Sequence, residues 1–198
     1  MKTLQSGYVI WFTGLPGSGK SSIAKKVIEK LDTTLVYLSM DEIRKQIFEK
    51  PNYSDQERDI AYRALVLVAE FACISGANVV VDATAHKRIW RDLARKRIQN
   101  FVEVYVKCPV DTCIERETKR ESDLVRKRIY VDALERLRSG KVFTELGKVP
   151  GVDEPYEESK PEIVIDSSKG SIEEEADQII DQMEKYAPLA KFRESNKG

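Results

Sequence analysis

Residues Gly14-Leu15-Pro16-Gly17-Ser18-Gly19-Lys20-Ser21 follow the pattern G-x-x-x-x-G-K-S, and they stand between an apolar run, Tyr8 to Thr13, and a stretch with helical apolar spacing at Ile23, Ala24, Val27, Ile28 and Leu31. Strand, glycine loop and helix in that order are the context a phosphate-binding loop needs. The glycines let successive backbone N–H groups turn inward around phosphate oxygens, Lys20 adds mobile positive charge, and the Ser21 hydroxyl suits Mg²⁺. A nucleoside triphosphate is therefore the expected ligand, held by residues 14 to 22, from Gly14 to Ser22. ATP and Mg²⁺ are the expected cofactors, with Ser21 as the metal residue.

The rest of the chain continues the alternation. Thr34 to Leu38 reads as a second, buried strand, and Glu42 to Phe48 as a helix. After the break at Pro51-Asn52, Ser54 with Glu57 three residues on reads as a helix cap, and apolar spacing from Ile60 to Ala72 reads as a long helix. Asn78 to Asp82 is a β-branched strand, Lys87 to Gln99 a basic helix and Phe101 to Val106 a strand. A helix opened by Pro109 and Asp111 follows, and Glu162 to Asp166 with Ile172 to Met183 closes the series. Such alternation predicts a three-layer α/β/α P-loop fold with a parallel sheet of about five strands and right-handed crossovers. The expected organisation is one domain over residues 1–187, a polar tail at 188–198, and a lid over about 117–150, whose dense charge reads as mobile cover more than as core.

Composition narrows the partners. The 33 basic and 33 acidic residues cancel, so no overall field recruits nucleic acid or an anionic membrane. No segment reads as a signal peptide or a membrane span, and three cysteines without metal spacing suit a reducing compartment. A cytoplasmic protein without a membrane partner is expected.

Ligands of such sheets bind beyond the carboxyl ends of the strands, where the glycine loop, Asp41 and Asp82 converge. Asp41 and Arg44, three residues apart, share a helix face beside the loop. Phosphoryl transfer to an alcohol needs a group that takes the hydroxyl proton and a cation that fixes an anionic acceptor. Lys20 and Asp41 are accordingly the candidate catalytic residues, and Arg44 is a candidate for the acceptor. Arg116, opening the lid, is a candidate for the nucleotide, and Arg88 and Arg91 on the basic helix are further candidates for acceptor contacts. The lone His86, in a strand-to-helix loop, is given a minor role at most.

At these residues the sequence resembles the adenylylsulfate kinase family of P-loop kinases, over nearly the whole chain. Trp11 to Leu15 and on through Ser22 is similar to the family's opening strand and loop. Asp41 and Arg44 match the last Asp and the Arg of its D-G-D-x-x-R element. Tyr53-Ser54-Asp55-Gln56-Glu57-Arg58 resembles its F-S-x-x-D-R segment, which implies an aromatic stacked on the acceptor's adenine and an arginine on its anionic group. Gly151-Val152-Asp153-Glu154-Pro155-Tyr156-Glu157 and Pro161 to Asp166 are similar to its G-I-D-D-P-Y-E and P-E-I-V-I-D-T segments. The resemblance implies ATP-dependent phosphorylation of the adenylylsulfate 3′-hydroxyl, and a homodimer, as members are often dimeric.

The chain departs from the pattern at Ser39, where the family has the first Asp of D-G-D, at Ala61, and at Thr84-Ala85-His86, where the family has I-S-P. Asp82-Ala83-Thr84 instead resembles the D-A-T-N turn of polynucleotide kinases and broad-specificity P-loop kinases, which makes Asp82 and Thr84 acceptor-side candidates. An acceptor other than adenylylsulfate, including a nucleic-acid 5′ end, is the rival expectation; nucleic acid is the less favoured. A regulatory nucleotide switch is weaker still, because the chain lacks an N-K-x-D pattern.

Overall fold

The structure is a computed structural model that describes residues 6–31, 33–119, 124–139 and 147–187; for residues 124–129 and 137 only the backbone is described. The polar tail and parts of the expected lid, 120–123 and 140–146, lie outside the described residues. Five strands, β1 (Val9–Thr13), β2 (Val36–Ser39), β3 (Val79–Asp82), β4 (Phe101–Lys107) and β5 (Ile163–Asp166), form one parallel sheet in the order β2-β3-β1-β4-β5. The helices are α1 (Lys20–Leu31), α2 (Met40–Ile47), α3 (Asp55–Ile74), α4 (Arg88–Arg97), α5 (Val110–Thr118), α6 (Leu124–Ser139) and α7 (Ile172–Tyr186).

The sheet is covered on both faces because side chains alternate along each strand. Val9 and Trp11 of β1 point, with Val79 and Val81, into a core shared with Ala61, Leu65 and Ala69 of α3 and Trp90 and Ala94 of α4. Ile10 and Phe12 point the other way, with Val80, Val102 and Val104, against Ile23 and Val27 of α1 and Ile179 and Met183 of α7. A central β1 with every residue buried explains its unbroken apolar run. The expectation that the second strand is buried is corrected: β2 is an edge strand, with Leu38 buried and Val36 36% exposed.

The charged segment after α5 also differs from its expected character. Tyr130 and Ala133 of α6, three residues apart and hence on one face, are fully buried with Leu15, Cys108, Cys113 and Val149. The described part of that segment thus supplies core beneath the glycine loop, and the Tyr130 hydroxyl donates to the Pro16 carbonyl at 2.8 Å.

An ion-pair network locks α4 to the sheet. Arg91, fully buried, lies 2.9 Å from the Glu103 carboxylate and donates to the carbonyls of Ala85 and Glu157; Arg95 reaches Glu103 and Glu162. The basic face of α4 is thus partly structural, and Arg91 fixes the turn at 84–86 instead of facing a ligand. Glu103→Ala would leave Arg91 buried without its carboxylate, and such losses cost about 3–5 kcal/mol. The expected result is a loss of that size in the unfolding free energy measured by urea titration, with Glu162→Ala, whose carboxylate is more accessible, losing less.

Among the described residues, no helix is long and apolar enough to cross a membrane.

Candidate active site

Parallel strands bring Thr13, Ser39 and Asp82 to the carboxyl end of the sheet, and there a cavity of about 690 Å³ opens. That volume is within the range of sites that enclose nucleotide-sized ligands. Pro16 to Ser22 line it in the middle. Met40, Asp41, Arg44, Tyr53, Arg58, Asp82 and Thr84 line one side, and Arg116, Ser167, Gly170, Ile172 and Glu175 lie along another stretch.

The loop after β1 has the geometry the glycine pattern predicts. Gly14 and Gly17 have φ of 150° and 79°, and a Cβ there would lie 2.4 Å from the carbonyl oxygens of Val106 and Cys113 respectively. Only glycine fits both the backbone conformation and the close approach. α1 starts at Lys20, so its first N–H groups have no partner within the helix and the positive end of its dipole lies at the loop. Such an end is an anion site, and Lys20, Ser21 and Ser22 all line the cavity. Lys20 Nζ lies 3.5 Å from the Leu15 carbonyl. Two loop residues do not line the cavity: Gly14 packs on the end of β4, and Leu15 turns into the core against Gly151.

On the second side, α2 begins at Met40, immediately after β2, which sets Asp41 in its first turn at the cavity. Arg44 is buried, 3.8 Å from Asp41 and 3.2 Å from Glu57, and its guanidinium sits 4.7 Å from the centre of the Tyr53 ring. Tyr53 has φ of 57°, a conformation that a tyrosine holds only when its surroundings impose it. Those surroundings are visible. The Glu57 carboxylate accepts from the N–H of Asn52 at 2.5 Å and of Tyr53 at 3.1 Å, and Arg58 Nε donates to the Tyr53 carbonyl at 2.8 Å.

Arg58 also donates to the Lys148 carbonyl at 2.5 Å, so one buried arginine ties the loop before α3 to the segment after α6. Burial, the largest influence, pulls its guanidinium below the ordinary arginine value. Ser54 does cap α3 by accepting from Glu57 N–H at 3.3 Å, as expected, but the Glu57 side chain holds the Tyr53 loop rather than closing a capping box.

At the end of β3, Asp82 is buried and accepts from the Tyr37 hydroxyl at 2.8 Å. Burial first, then Asp82, pushes the Tyr37 phenol above its ordinary value, so the tyrosine remains a donor. The Thr84 carbonyl accepts from Thr13 Oγ1 at 2.7 Å, and the Ala85 N–H donates to the Tyr62 hydroxyl at 2.7 Å. His86 is 1% exposed with Nε2 2.9 Å from Glu154. Burial outweighs that partner and lowers the His86 imidazole to about 4, so it is neutral near pH 7 and donates from Nε2. It thereby ties the turn at 84–86 to Glu154.

Arg88 does not line the cavity; it is exposed and pairs with Asp92 at 3.0 Å, while its backbone N–H donates to Glu157. Arg116 does line it, donating to the Ser167 carbonyl at 2.7 Å. Sequence reasoning passed over Tyr130, Ser167, Gly170 and Glu175, all at the cavity. Ser167 had a signal, as it follows the β5 carboxyl end; the others had none.

Among known proteins, residues 6–166 match the adenylylsulphate kinase family. An adenylyl-sulfate kinase of Rippkaea orientalis is 33% identical over 191 residues, covering 94% of this chain and 97% of that protein. A probable bifunctional SAT/APS kinase 2 of Sorangium cellulosum is 32% identical over 189 residues, 92% of this chain, which spans 30% of that longer protein. A solved structure of the Mycobacterium tuberculosis APS kinase CysC in complex with AMPPNP and APS is 31% identical, with a TM-score of 0.71 over 90% of this chain and 98% of that one. The glycine loop, the cavity and these matches agree: the chain is a P-loop kinase and belongs to the adenylylsulphate kinase family.

Proposed function

We propose that this chain transfers the γ-phosphoryl group of ATP to the 3′-hydroxyl of adenylylsulfate. The observation that carries this reading is that one cavity joins the glycine loop to Asp41, Arg44, Tyr53 and Arg58. A kinase needs donor and acceptor within reach of one another and away from bulk water, and a shared cavity supplies that.

In this reading the N–H groups of the loop and Lys20 bind the β- and γ-phosphates. Asp41 accepts or orients the hydroxyl proton, with Arg44 beside it as the cation for an anionic acceptor. Tyr53, fixed by Glu57 and Arg58, offers an aromatic surface to the acceptor's base, and Arg116 faces the donor nucleotide. The Ser21 hydroxyl, with the carboxylates of Asp41 and Asp82 on the same cavity, suits Mg²⁺, a hard cation that takes oxygen donors. When bound, Mg²⁺ would neutralise charge on the transferring phosphate. Ser39 and Asp82 are register partners on adjacent strands, so the carboxylate that the family's D-G-D element carries at the position of Ser39 has a counterpart one strand across. The reading also carries a cytoplasmic enzyme that assembles as a homodimer.

The test is ADP release from the full chain with ATP and Mg²⁺, alone and with each of a panel of acceptors: adenylylsulfate, a nucleic-acid 5′ end, a modified nucleoside and small polar alcohols. Adenylylsulfate is expected to raise turnover at least about 10²-fold above the ATPase background, the scale that positioning and proton acceptance supply together. Turnover at background with adenylylsulfate, and a rise with another acceptor, overturns the substrate assignment and leaves the kinase assignment standing.

A further inference from the structure

The far end of the cavity holds a carboxyl group that the proposed transfer does not use. α7 opens with three consecutive glutamates, and two of them have evident tasks. Glu173 pairs with Lys26 and Lys30 of α1, and Glu174 closes the capping box with Ser171. Asp177, one turn on, pairs with Lys30, and Asp166 at the end of β5 is held by Ser168 and Lys169. Glu175 is the exception. It is 3% exposed, it lines the cavity, and its buried Oε1 has no hydrogen-bond partner among the described residues.

A buried acceptor without a donor is costly, by far more than a helix N-terminus returns, so its position calls for a ligand. Burial pushes the Glu175 carboxyl above the ordinary glutamate range, and the charge of Arg116 opposes this. Gly170 lies beside it in ordinary contact: a Cβ there would lie 3.4 Å from Glu175 Cγ and 3.6 Å from Oε1.

The direction of the donor nucleotide follows from the loop. In the proposed reading its phosphates would lie at Lys20 and Ser21, and the side of Asp41, Arg44 and Tyr53 is assigned to the acceptor. The donor's sugar and base must therefore leave past Gly19 and Arg116, whose Nη1 is 3.8 Å from where a Gly19 Cβ would be, toward Gly170, Ile172 and Glu175. We infer that Glu175 is a specificity-determining residue for the donor base, accepting a hydrogen bond from the 6-amino group of adenine. Guanine carries an oxygen acceptor at that position, which would face the carboxylate oxygens and be rejected. The inference rests on the reading of this cavity as a kinase donor site and is independent of which acceptor is used.

The experiment is isothermal titration of the full chain, without any acceptor, with ADP, with purine riboside diphosphate, which lacks only the 6-amino group, and with GDP. The wild type is expected to bind ADP about tenfold or more tighter than purine riboside diphosphate, the scale of a hydrogen bond to a charged group. Glu175→Ala is expected to bring the two within about twofold of each other, chiefly by weakening ADP, and to relax the exclusion of GDP. A wild-type ratio near one overturns the inference and needs no variant to fold. So does a ratio that Glu175→Ala leaves unchanged while both nucleotides weaken in parallel, the outcome of a purely structural role, or a wild type that prefers GDP. Glu175→Gln keeps the shape and a carbonyl acceptor, and is expected to retain part of the preference. Because no acceptor is present, failure of adenylylsulfate as substrate would not alter these ratios.

Discussion

Alanine in place of Lys20 is expected to lower phosphoryl transfer by about 10²–10³-fold and to weaken ATP binding as well. The magnitude follows from charge and position. A unit charge about 4 Å from a phosphate oxygen, at the effective dielectric of a partly enclosed site, is worth about 4 kcal/mol, and each 1.36 kcal/mol is tenfold in rate. Lys20 lies at the first turn of α1, within 3.5 Å of the Leu15 carbonyl, so its ammonium spans the loop where the phosphates would sit. Because the charge binds the ground-state phosphates and acts more strongly still on the transferring one, KM for ATP should rise together with the fall in kcat. Steady-state kinetics with the best acceptor of the panel, beside a binding titration with ADP, would check this. Near-wild-type kcat and KM in a folded Lys20→Ala protein would remove Lys20 from the site. Lys20→Arg is a useful companion, since a planar guanidinium keeps the charge but not the compact point donor, and activity should recover only in part.

How legible the molecule is in its sequence can be judged from particular residues. The glycine loop was legible because the backbone conformations of Gly14 and Gly17 and the α1 N-terminus leave a local pattern, although the Val106 and Cys113 carbonyls that crowd the two glycines come from distant segments. The strands β1 and β3 were legible because burial on both faces leaves a continuous apolar run, as in Val79 to Val81. β2 looked equally apolar in sequence, yet neighbours on one side only make it an edge; strand order is decided by crossovers that no single segment records. The charged stretch around α6 misled for another reason. Tyr130 and Ala133 are a small apolar step in a helix whose described residues Val131, Glu135 and Arg138 are exposed, and their burial depends on Pro16, Leu15 and Val149, all outside the helix. Glu57 was visible as a capping partner, but its carboxylate serves Arg44 and the Tyr53 loop because those groups are closer in the folded chain. Glu175 carried no mark that distinguished it from Glu173 and Glu174; only the turn of α7 decides which of three identical residues faces inward. The site is thus readable where backbone geometry dictates composition, and opaque where a side chain takes its role from the far side of the fold.

Asp41→Ala is expected to separate binding from chemistry. The aspartate stands in the first turn of α2 at the end of β2, on the side proposed for the acceptor, and Arg44 lies 3.8 Å from it. It touches the cavity but belongs to none of the loop that holds phosphate, so ADP affinity should stay within a few-fold of wild type. Transfer should fall about 10²–10⁴-fold, the contribution of a positioned group that takes a proton from the reacting hydroxyl. Asp41→Asn sharpens the expectation: it preserves size and hydrogen bonding but cannot accept the proton, so a rate close to that of alanine would assign proton acceptance, and a rate close to wild type would assign orientation alone. Arg44 provides the control. With Asp41 neutralised, Arg44 keeps Glu57 at 3.2 Å and the ring of Tyr53, so the acceptor wall should stand and the acceptor's KM should change much less than kcat. If KM for the acceptor rises and kcat holds, Asp41 acts through Arg44 as a positioning residue; if neither changes, the aspartate is only the first-turn acid of α2, and the proton acceptor has to be sought at Asp82.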